Sequence, residues 1–372
     1  MGLGTFGLAI SASTMLQSTL SKPWCNSMSQ PPYHQQLCQV FQTEHIDYLA
    51  VIQKLWSNYG VIRRIKVPAH ERSYVFKYVD LANIPQHPRG WAGATSHARK
   101  LSSYINEWCF YQHYAEPIQV YAHSQAQNEA SWQAGYPMLA QAHCVVPNVN
   151  LLQEHNSPER FLLVLDDLDA IGYTQRYAGF SIAQVRLCIR WLALFHAYFL
   201  NCETPDLWPV GSYWHWQTRQ DEWGAMPRNE LYHHAQGIAQ ALQTCPYQTL
   251  IHGDAKVANF CFHPDGQRVT AVDFQYVGRG VGVVDVMYLL GSALSADELY
   301  AHAEALWDTY FDDLRILGIA EDVVQTWRDL IPTAWADFER FLQGWSPGHQ
   351  KLHAYAAEQT ALCLQALISG QE

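Results

Sequence analysis

Residues 252–259 read His-Gly-Asp-Ala-Lys-Val-Ala-Asn, and after one short turn residues 272–275 read Val-Asp-Phe-Gln. Three side chains in these two segments, Asp254, Asn259 and Asp273, are of the types that phosphoryl transfer needs. In that chemistry one Asp accepts or orients the proton of an attacking hydroxyl, while an Asn and a second Asp hold Mg²⁺ against nucleotide phosphates. The order of the three residues therefore predicts a catalytic loop followed by a metal-binding hairpin.

The spacing of the three side chains has a structural reason. A tight loop delivers Asp254, the following turn brings Asn259 back beside it, and a hairpin closed by the Pro-Asp-Gly turn at 264–266 returns Asp273 to the same edge. Their hard oxygen donors suit Mg²⁺, which completes its coordination with water and substrate phosphates. We therefore expect these side chains to converge at one site.

Other charged residues near the motif are assigned supporting roles. Lys256 lies two residues beyond the expected catalytic Asp, and we expect its ammonium group to neutralise the transferring phosphate. His252 is interpreted as a brace for the loop backbone, and Asp285 likewise as a cap or brace. No His pair has the spacing of a transition-metal site.

Hydrophobic periodicity predicts an α+β architecture around the motif. The predicted elements are strands at 61–67, 73–79, 161–165, 250–251, 259–262 and 269–274, helices at 44–56, 96–114 and 182–200, and several further helices from residue 301 onward. Residues 1–41 are expected to form a flexible leader. The remainder divides into a small, sheet-based N-lobe at 42–165 that binds nucleotide, and a larger, mainly helical C-lobe at 166–372 that carries catalysis and acceptor binding.

Composition narrows the class of protein. The chain has 372 residues, 49% of them hydrophobic and 15% charged, and a formal net charge of −11. A nucleic-acid partner is not expected, because phosphate backbones need a concentrated basic surface, and no segment is apolar enough to span a membrane. The nine cysteines are scattered and include no CxxC pair. This pattern predicts a reducing, cytoplasmic location without a disulfide framework. The sequence contains no indication of an oligomeric state.

The motifs resemble those of the aminoglycoside phosphotransferase and choline kinase superfamily, whose signature is H-G-D-x-x-x-x-N followed by a magnesium-binding Asp. The ecdysteroid kinase-like branch resembles the chain more closely. That likeness rests on Leu-Val-Leu-Asp-Asp-Leu at 163–168, Val-Asp-Phe-Gln-Tyr at 272–276 and Asp-Val-Met-Tyr-Leu-Leu at 285–290.

This resemblance implies a protein-kinase-like two-lobe fold and a kinase that uses ATP and Mg²⁺ to phosphorylate a small-molecule hydroxyl. It implies that Lys77 pairs with the nucleotide phosphates and that Glu107 directs it. It further implies that backbone groups of Leu165, Asp166, Asp167 and Leu168 hydrogen-bond adenine. In these families a glycine-rich loop covers the phosphates, and here Gly60 closes the corresponding segment 57–60.

Two departures from the family pattern leave alternatives open. Segment 57–60 is much shorter than G-x-G-x-x-G, so the rival interpretation is a pseudokinase-like module that binds nucleotide with weak turnover. Gly-Val-Gly at 280–282 replaces the family's G-D-P, so the loop after Asp273 can have a different shape and acceptor recognition can differ with it. Ecdysteroid, choline, aminoglycoside and sugar-like acceptors all remain open. The cluster Trp214, Trp216 and Trp223 is interpreted as core packing, with an aromatic cage for a quaternary ammonium as the alternative.

Overall fold

An antiparallel sheet forms the N-terminal part of the computed structural model, which describes residues 31–55, 59–80, 94–127, 149–153 and 160–369. Its five strands lie in the order β1-β2-β3-β5-β4. Their bounds are β1 Asp47–Lys54, β2 Gly60–Val67, β3 Arg72–Asp80, β4 Val149–Gln153 and β5 Arg160–Asp166. The predicted hairpin of β2 and β3 and the predicted strand at 161–165 are confirmed.

Alternation along β3 sends its side chains to two different environments. Tyr74, Phe76 and Tyr78 are buried in the apolar cluster on one face of the sheet. Lys77, between them, faces the other side, as the period of two in a strand requires. Because β3 is hydrogen-bonded to β2 and β5 on its two edges, Lys77 occupies a central, rigid position in the sheet.

The predicted helix at 44–56 is wrong, because residues 47–54 form strand β1. The strand pairs antiparallel with β2, with irregular register between Tyr48 and Gln53. Val51 and Ile52 are β-branched and half exposed, which suits an edge strand. Apolar residues at helical spacing were therefore misleading where a neighbouring strand offered hydrogen bonds to the backbone.

The expected leader also needs correction at its end. Helix α1, His34–Phe41, lies within residues 1–41, and its Leu37 and Phe41 are buried. The Phe41 ring lies 4.5 Å from that of Tyr74, so the helix covers the apolar face of the sheet. Residues 1–30 lie outside the described part of the chain.

Helices make up most of the structure beyond β5. In the described residues the helices after α1 are α2 Ala94–His113, α3 Ala115–Gln127, α4 Ile182–Tyr198, α5 Gln220–Ala225, α6 Glu230–Gln243, α7 Val283–Ala293, α8 Ala296–Ile316, α9 Glu321–Asp329, α10 Ile331–Trp345 and α11 Ala354–Ser369. Capping boxes at Ser181 and Ser295 start α4 and α8 by satisfying backbone N–H groups at each helix N-terminus. The predicted helices at 96–114, 182–200 and beyond 301 are confirmed.

Two short antiparallel strand pairs lie among the helices. Strand β6, Thr249–Ile251, pairs with β9, Gly278–Gly280. Strand β7, Phe260–Phe262, pairs with β8, Val269–Ala271. These pairings flank the motif segments quoted above, and the predicted hairpin is confirmed. With a small antiparallel sheet before a mainly helical region, the predicted α+β, protein-kinase-like two-lobe fold is confirmed.

Helix α2 joins the sheet to the helical region. Phe110 stacks on Phe274 with ring centroids 4.1 Å apart, and both side chains are fully buried. Asn106 donates to the Val277 carbonyl at 2.8 Å and accepts from the Trp208 backbone N–H at 2.7 Å. The helix therefore holds the motif hairpin against the sheet.

Two further predictions concern the whole chain. The cysteines in the described ranges, Cys38, Cys109, Cys188, Cys202, Cys245, Cys261 and Cys363, are free thiols. In the same part of the chain, no helix combines the length and the apolar character needed to cross a membrane.

Candidate active site

The loop after β6 has a shape that requires glycine. Gly253 has φ +76°, and a Cβ there would lie 2.1 Å from the Tyr276 carbonyl oxygen and 2.6 Å from the Ser212 nitrogen. A larger residue would clash with backbone atoms that cannot move separately. The His-Gly-Asp sequence therefore allows the loop to pack closely against the residues that follow the hairpin.

Asp285, on α7, holds this loop through hydrogen bonds to its backbone. Its fully buried carboxylate accepts the backbone N–H groups of His252 and Gly253, the second at 2.9 Å. His196 approaches the same carboxylate at 3.2 Å. The His252 ring in turn contacts the Val272 carbonyl at 3.0 Å. The bracing roles predicted for His252 and Asp285 are confirmed.

Asp254 is buried and held by two neighbours. Its Oδ2 lies 2.7 Å from the Lys256 ammonium and 3.1 Å from Asn259 Nδ2, which also donates to the Asp254 carbonyl at 2.8 Å. Its Oδ1 is buried and meets no donor at hydrogen-bond geometry in the described residues, although the Tyr288 hydroxyl is near enough for the Asp254 carboxylate to add to burial in raising the pKa of Tyr288. Burial raises the pKa of Asp254, although Lys256 opposes the shift. The two oxygens of this carboxylate thus differ, because Oδ2 has two partners and Oδ1 has none at hydrogen-bond geometry in the described part of the chain.

Asp273 has an uncommon backbone conformation for a residue other than glycine, with φ +70°. Gln275 donates to its Oδ1 at 2.6 Å, and the Lys77 ammonium lies 3.6 Å from the same atom. Burial opposes ionisation, but Lys77 and nearby lysines outweigh it, so the pKa of Asp273 lies below its ordinary value. Strained conformations of this kind occur where a side chain must point at a ligand.

Lys77 and Glu107 form an ion pair at 2.6 Å, and both side chains are almost fully buried. Burial lowers the pKa of Lys77, but Glu107 and Asp273 more than compensate and raise it. The ammonium group therefore stays charged and is directed toward Asp273. Lys77 is the group that connects the sheet to the motif hairpin electrostatically.

The carboxylates of Asp166, the last residue of β5, and of Asp167, the first residue after it, both contact the sheet. Asp166 pairs with Arg72 at 3.2 Å, and Asp167 pairs with Arg64 at 2.7 Å. Ser73 also donates to Asp167 at 2.8 Å. These contacts fix the linker that follows β5 to β2 and β3, so both carboxylates already have partners where they border the adjacent cleft.

The cleft between sheet and helical region has a cavity of about 260 Å³. Predicted site residues that line it are Lys77, Glu107, Leu165, Asp166, Asp167, Leu168, Asn259 and Asp273. Gly60 is not among the lining residues. It pairs with Val79 in the sheet, where a Cβ would lie 1.8 Å from the Tyr78 carbonyl oxygen, so close strand packing accounts for this glycine. Residues 57 and 58 lie outside the described residues.

A second cavity, of about 510 Å³, opens on the other side of the catalytic loop. Asp254 and Lys256 line it, together with the residues Tyr213, Tyr276, Tyr288, Phe338, Leu342, Trp345, His349 and Lys351. The structure therefore separates the predicted site residues into two groups. The metal-type ligands Asn259 and Asp273 face the cleft, and Asp254 and Lys256 face the second cavity.

Sequence reasoning missed most of the second cavity. Lys351 and Trp345 lie about a hundred residues beyond the motif in the chain, and no local pattern marks them. Gln275 donates to Asp273, and the signal in the sequence for this contact was that the two residues lie two positions apart in the quoted motif. The tryptophan cluster is not the cavity wall: Trp214 is fully buried and donates to Asp337, and Trp216 contacts Trp223.

The donor set in the cleft suits magnesium rather than a softer metal. Asn259 uses its Nδ2 to bind Asp254, so its amide oxygen is the atom that could bind a metal, and the low pKa of Asp273, in the same cleft, favours the carboxylate form. Among the described residues there is no group of three or more His, Cys, Asp or Glu that could hold a metal. Mg²⁺ takes one or two protein oxygen ligands with substrate phosphates and water.

These features define a two-lobe, kinase-like fold whose His-Gly-Asp loop and following residues border two cavities. A family profile described as the ecdysteroid kinase-like family matches residues 215–317, which include the catalytic loop and the motif hairpin. The resemblance stated from the motifs is thus confirmed for this segment. No curated protein matches the chain significantly.

Solved structures similar to the chain include two small-molecule kinases. One is described as a microcompartment-associated aminopropanol kinase, with 14% identity, a TM-score of 0.45, and coverage of 90% of this chain and 97% of that chain. The other is a Plasmodium vivax ethanolamine kinase, with 11% identity, a TM-score of 0.43, and coverage of 91% and 87% respectively.

Proposed function

We propose that this protein is an ATP- and Mg²⁺-dependent phosphotransferase that moves the γ-phosphate to a hydroxyl of a small molecule. The observation that carries the proposal is the position of Asp254. Its unpartnered Oδ1 is buried beside a cavity of small-molecule size, while the neighbouring Asn259 lines the cleft on the other side of the loop. The kinase-like family match over residues 215–317 supports the same activity.

In this proposal each group has a defined task. Lys77, directed by Glu107, binds nucleotide phosphate oxygens, and linker backbone groups from Leu165 to Leu168 bind adenine. Asn259 and Asp273 hold Mg²⁺, which when bound neutralises phosphate charge. These groups act by position and charge, with no covalent intermediate on the protein.

The acceptor enters from the second cavity with its hydroxyl on Asp254 Oδ1. The acceptor oxygen forms a bond to the γ-phosphorus as the bond between that phosphorus and the bridging oxygen of ADP breaks. The hydroxyl proton passes to Asp254, whose raised pKa brings it closer to that of a useful base. Lys256, 2.7 Å from Asp254, stands beside the path of the phosphate.

Two measurements test this function. The first is thermal unfolding with Mg-ATP against ATP in EDTA, where Mg-dependent stabilisation is expected for a nucleotide site with a metal. The second is ATP consumption over a panel of hydroxyl compounds. Asp254→Asn keeps the size of the side chain and one oxygen that can accept from Asn259. The variant should therefore still be stabilised by Mg-ATP, while its kcat should fall about a hundred-fold or more.

The outcomes separate the two interpretations of the chain. Stabilisation with turnover that depends on Asp254 supports the phosphotransferase. Metal-dependent stabilisation without turnover on any acceptor would favour the nucleotide-binding, pseudokinase-like module. Absence of any Mg-ATP effect would contradict both.

A further inference from the structure

The charge of the second cavity differs from that of the whole protein. The chain carries a formal net charge of −11, which taken alone favours a cationic or neutral ligand. Among the described residues, however, Asp254 is the only carboxylate that lines the cavity, and it is already paired with Lys256. Lys351 is a second ammonium group on the same wall. The local charge is therefore positive.

Lys351 is a cation without an acidic partner. In the described part of the chain its side chain makes no ion pair, and its ammonium lies 4.2 Å from the Tyr288 ring centroid and 5.5 Å from that of Phe338. Burial lowers its pKa to about 8, opposed by Asp254. The side chain is thus mostly protonated at neutral pH, yet it is partly desolvated and forms no ion pair with a described residue, because Asp254, the carboxylate that raises its pKa, is already paired with Lys256.

The aromatic wall is consequently unavailable for a cationic ligand. A quaternary ammonium or amine substrate would need the faces of Tyr288 and Phe338, but the Lys351 ammonium already occupies the position over those rings. Lys256 would add a second repulsion. An anion placed near Lys351 would instead supply the missing counterion in a partly water-excluded site, where such pairs are strong.

The remaining walls indicate the shape of the ligand body. Tyr213, Tyr276 and Trp345 contribute aromatic surface, and the Tyr213 hydroxyl is already hydrogen-bonded to that of Tyr288 at 3.0 Å. His349 also lines the cavity, and burial together with Lys351 lowers its pKa, so it is neutral at pH 7. A flat apolar body between aromatic rings fits these walls better than a polyhydroxylated or polyamine ligand.

From this arrangement we propose that the acceptor is an anionic hydroxyl compound with a flat apolar body, whose hydroxyl lies on Asp254 and whose anionic group pairs with Lys351. The inference rests on the proposed phosphotransferase function and specifies its acceptor class. Lys351 is then a specificity-determining residue, because its single positive charge both attracts anionic acceptors and repels amines.

The test uses four acceptors that differ only in one substituent. They are benzyl alcohols that carry a carboxylate, a sulfonate, a neutral carboxamide or an aminomethyl group at the para position. Phosphorylation by the full-length protein with Mg-ATP is measured as kcat and KM for each. We expect both anions to have the highest kcat/KM and the amine the lowest, and a difference between carboxylate and sulfonate identifies which anion fits.

Variants assign the preference to Lys351. In Lys351→Met, which keeps the length of the side chain, the kcat/KM ratio of carboxylate to carboxamide should fall about ten- to a hundred-fold, mainly through KM. Lys351→Arg should retain most of the ratio, because it keeps the charge. Lys66→Met, at an exposed position on β2, is the matched control and should leave the ratio as it is.

Each outcome decides a different point. A wild-type preference for the amine or the carboxamide overturns this inference and leaves the phosphotransferase in place. A preference for anions that persists in Lys351→Met also overturns it, because another group then carries the selectivity. Failure of every hydroxyl compound, whatever its charge, overturns the proposed function itself.

Discussion

Replacing Asp285 by Ala should destabilise the protein strongly, because that carboxylate satisfies three buried donors. They are the backbone N–H groups of His252 and Gly253 and the ring nitrogen of His196. Each buried donor that loses its partner costs about 1–3 kcal/mol. Since a small cavity allows partial relaxation around it, we expect a total loss of about 3–6 kcal/mol in the free energy of unfolding.

Urea unfolding followed by circular dichroism measures this change, with Asp297→Ala as control. Asp297 is exposed in the first turn of α8, where its loss should cost about 0.3–1 kcal/mol through the helix dipole. Asp285→Asn keeps one acceptor oxygen, so it should lie between the two. A loss below about 1 kcal/mol for Asp285→Ala would refute the argument, because the loop would then be held by other contacts.

Three further outcomes follow from the same contacts. Lys77→Met leaves Glu107 buried without a counterion, so the free energy of unfolding in denaturant should fall by about 3–5 kcal/mol and stabilisation by Mg-ATP in thermal shift should disappear. Lys256→Met removes the ammonium that lowers the pKa of Asp254, so the acid limb of the pH–kcat profile should move to higher pH. Phe41→Ala should cost about 3–5 kcal/mol in urea unfolding, because the ring is buried against the sheet.

The sign of the pH effect follows from the role of Asp254 as a base. Its carboxylate must be ionised, so activity falls as pH drops through its pKa, which burial already places above the usual value. Without Lys256 the ionised form loses a stabilising charge and the pKa rises further. An acid limb that stays at the same pH or moves to lower pH in Lys256→Met would contradict the assignment of Asp254 as the base.

The control for Phe41→Ala is Val51→Ala, at a half-exposed position on an edge strand, which should change the free energy of unfolding little.

The motif region could be predicted well because its information is local. Asp254, Asn259 and Asp273 lie within one loop and one hairpin, so the turn residues at 264–266 and the short strands bring Asn259 into contact with Asp254 and into the same cleft as Asp273. The position of Lys77 in the second strand of a hairpin was also readable, because hairpin alternation is a short-range property, whereas only the pairing with β5 makes that strand central. Its pairing with Glu107 followed from the family resemblance, and the contact at 2.6 Å agrees with it.

Errors arose where a neighbouring element outweighed local preference. Residues 47–54 carry apolar side chains at helical spacing, but the free edge of β2 offers hydrogen bonds that make them a strand. Residues 34–41 follow a polar, Pro-containing stretch, yet Leu37 and Phe41 find an apolar face on the sheet. Neither partner surface is visible in a local window of sequence.

By itself, the sequence indicated the fold class, through hydrophobic patterns along the chain, and the positions of the His-Gly-Asp loop and its hairpin, through patterns within some forty consecutive residues. Only the tertiary structure decided what faces that loop. It placed Lys351 over the Tyr288 ring in the cavity that Asp254 also lines, and so reversed the local charge expected from the composition of the whole chain. The physical reason is that electrostatic interactions depend on distance and burial in space, whereas composition adds charges regardless of where they lie.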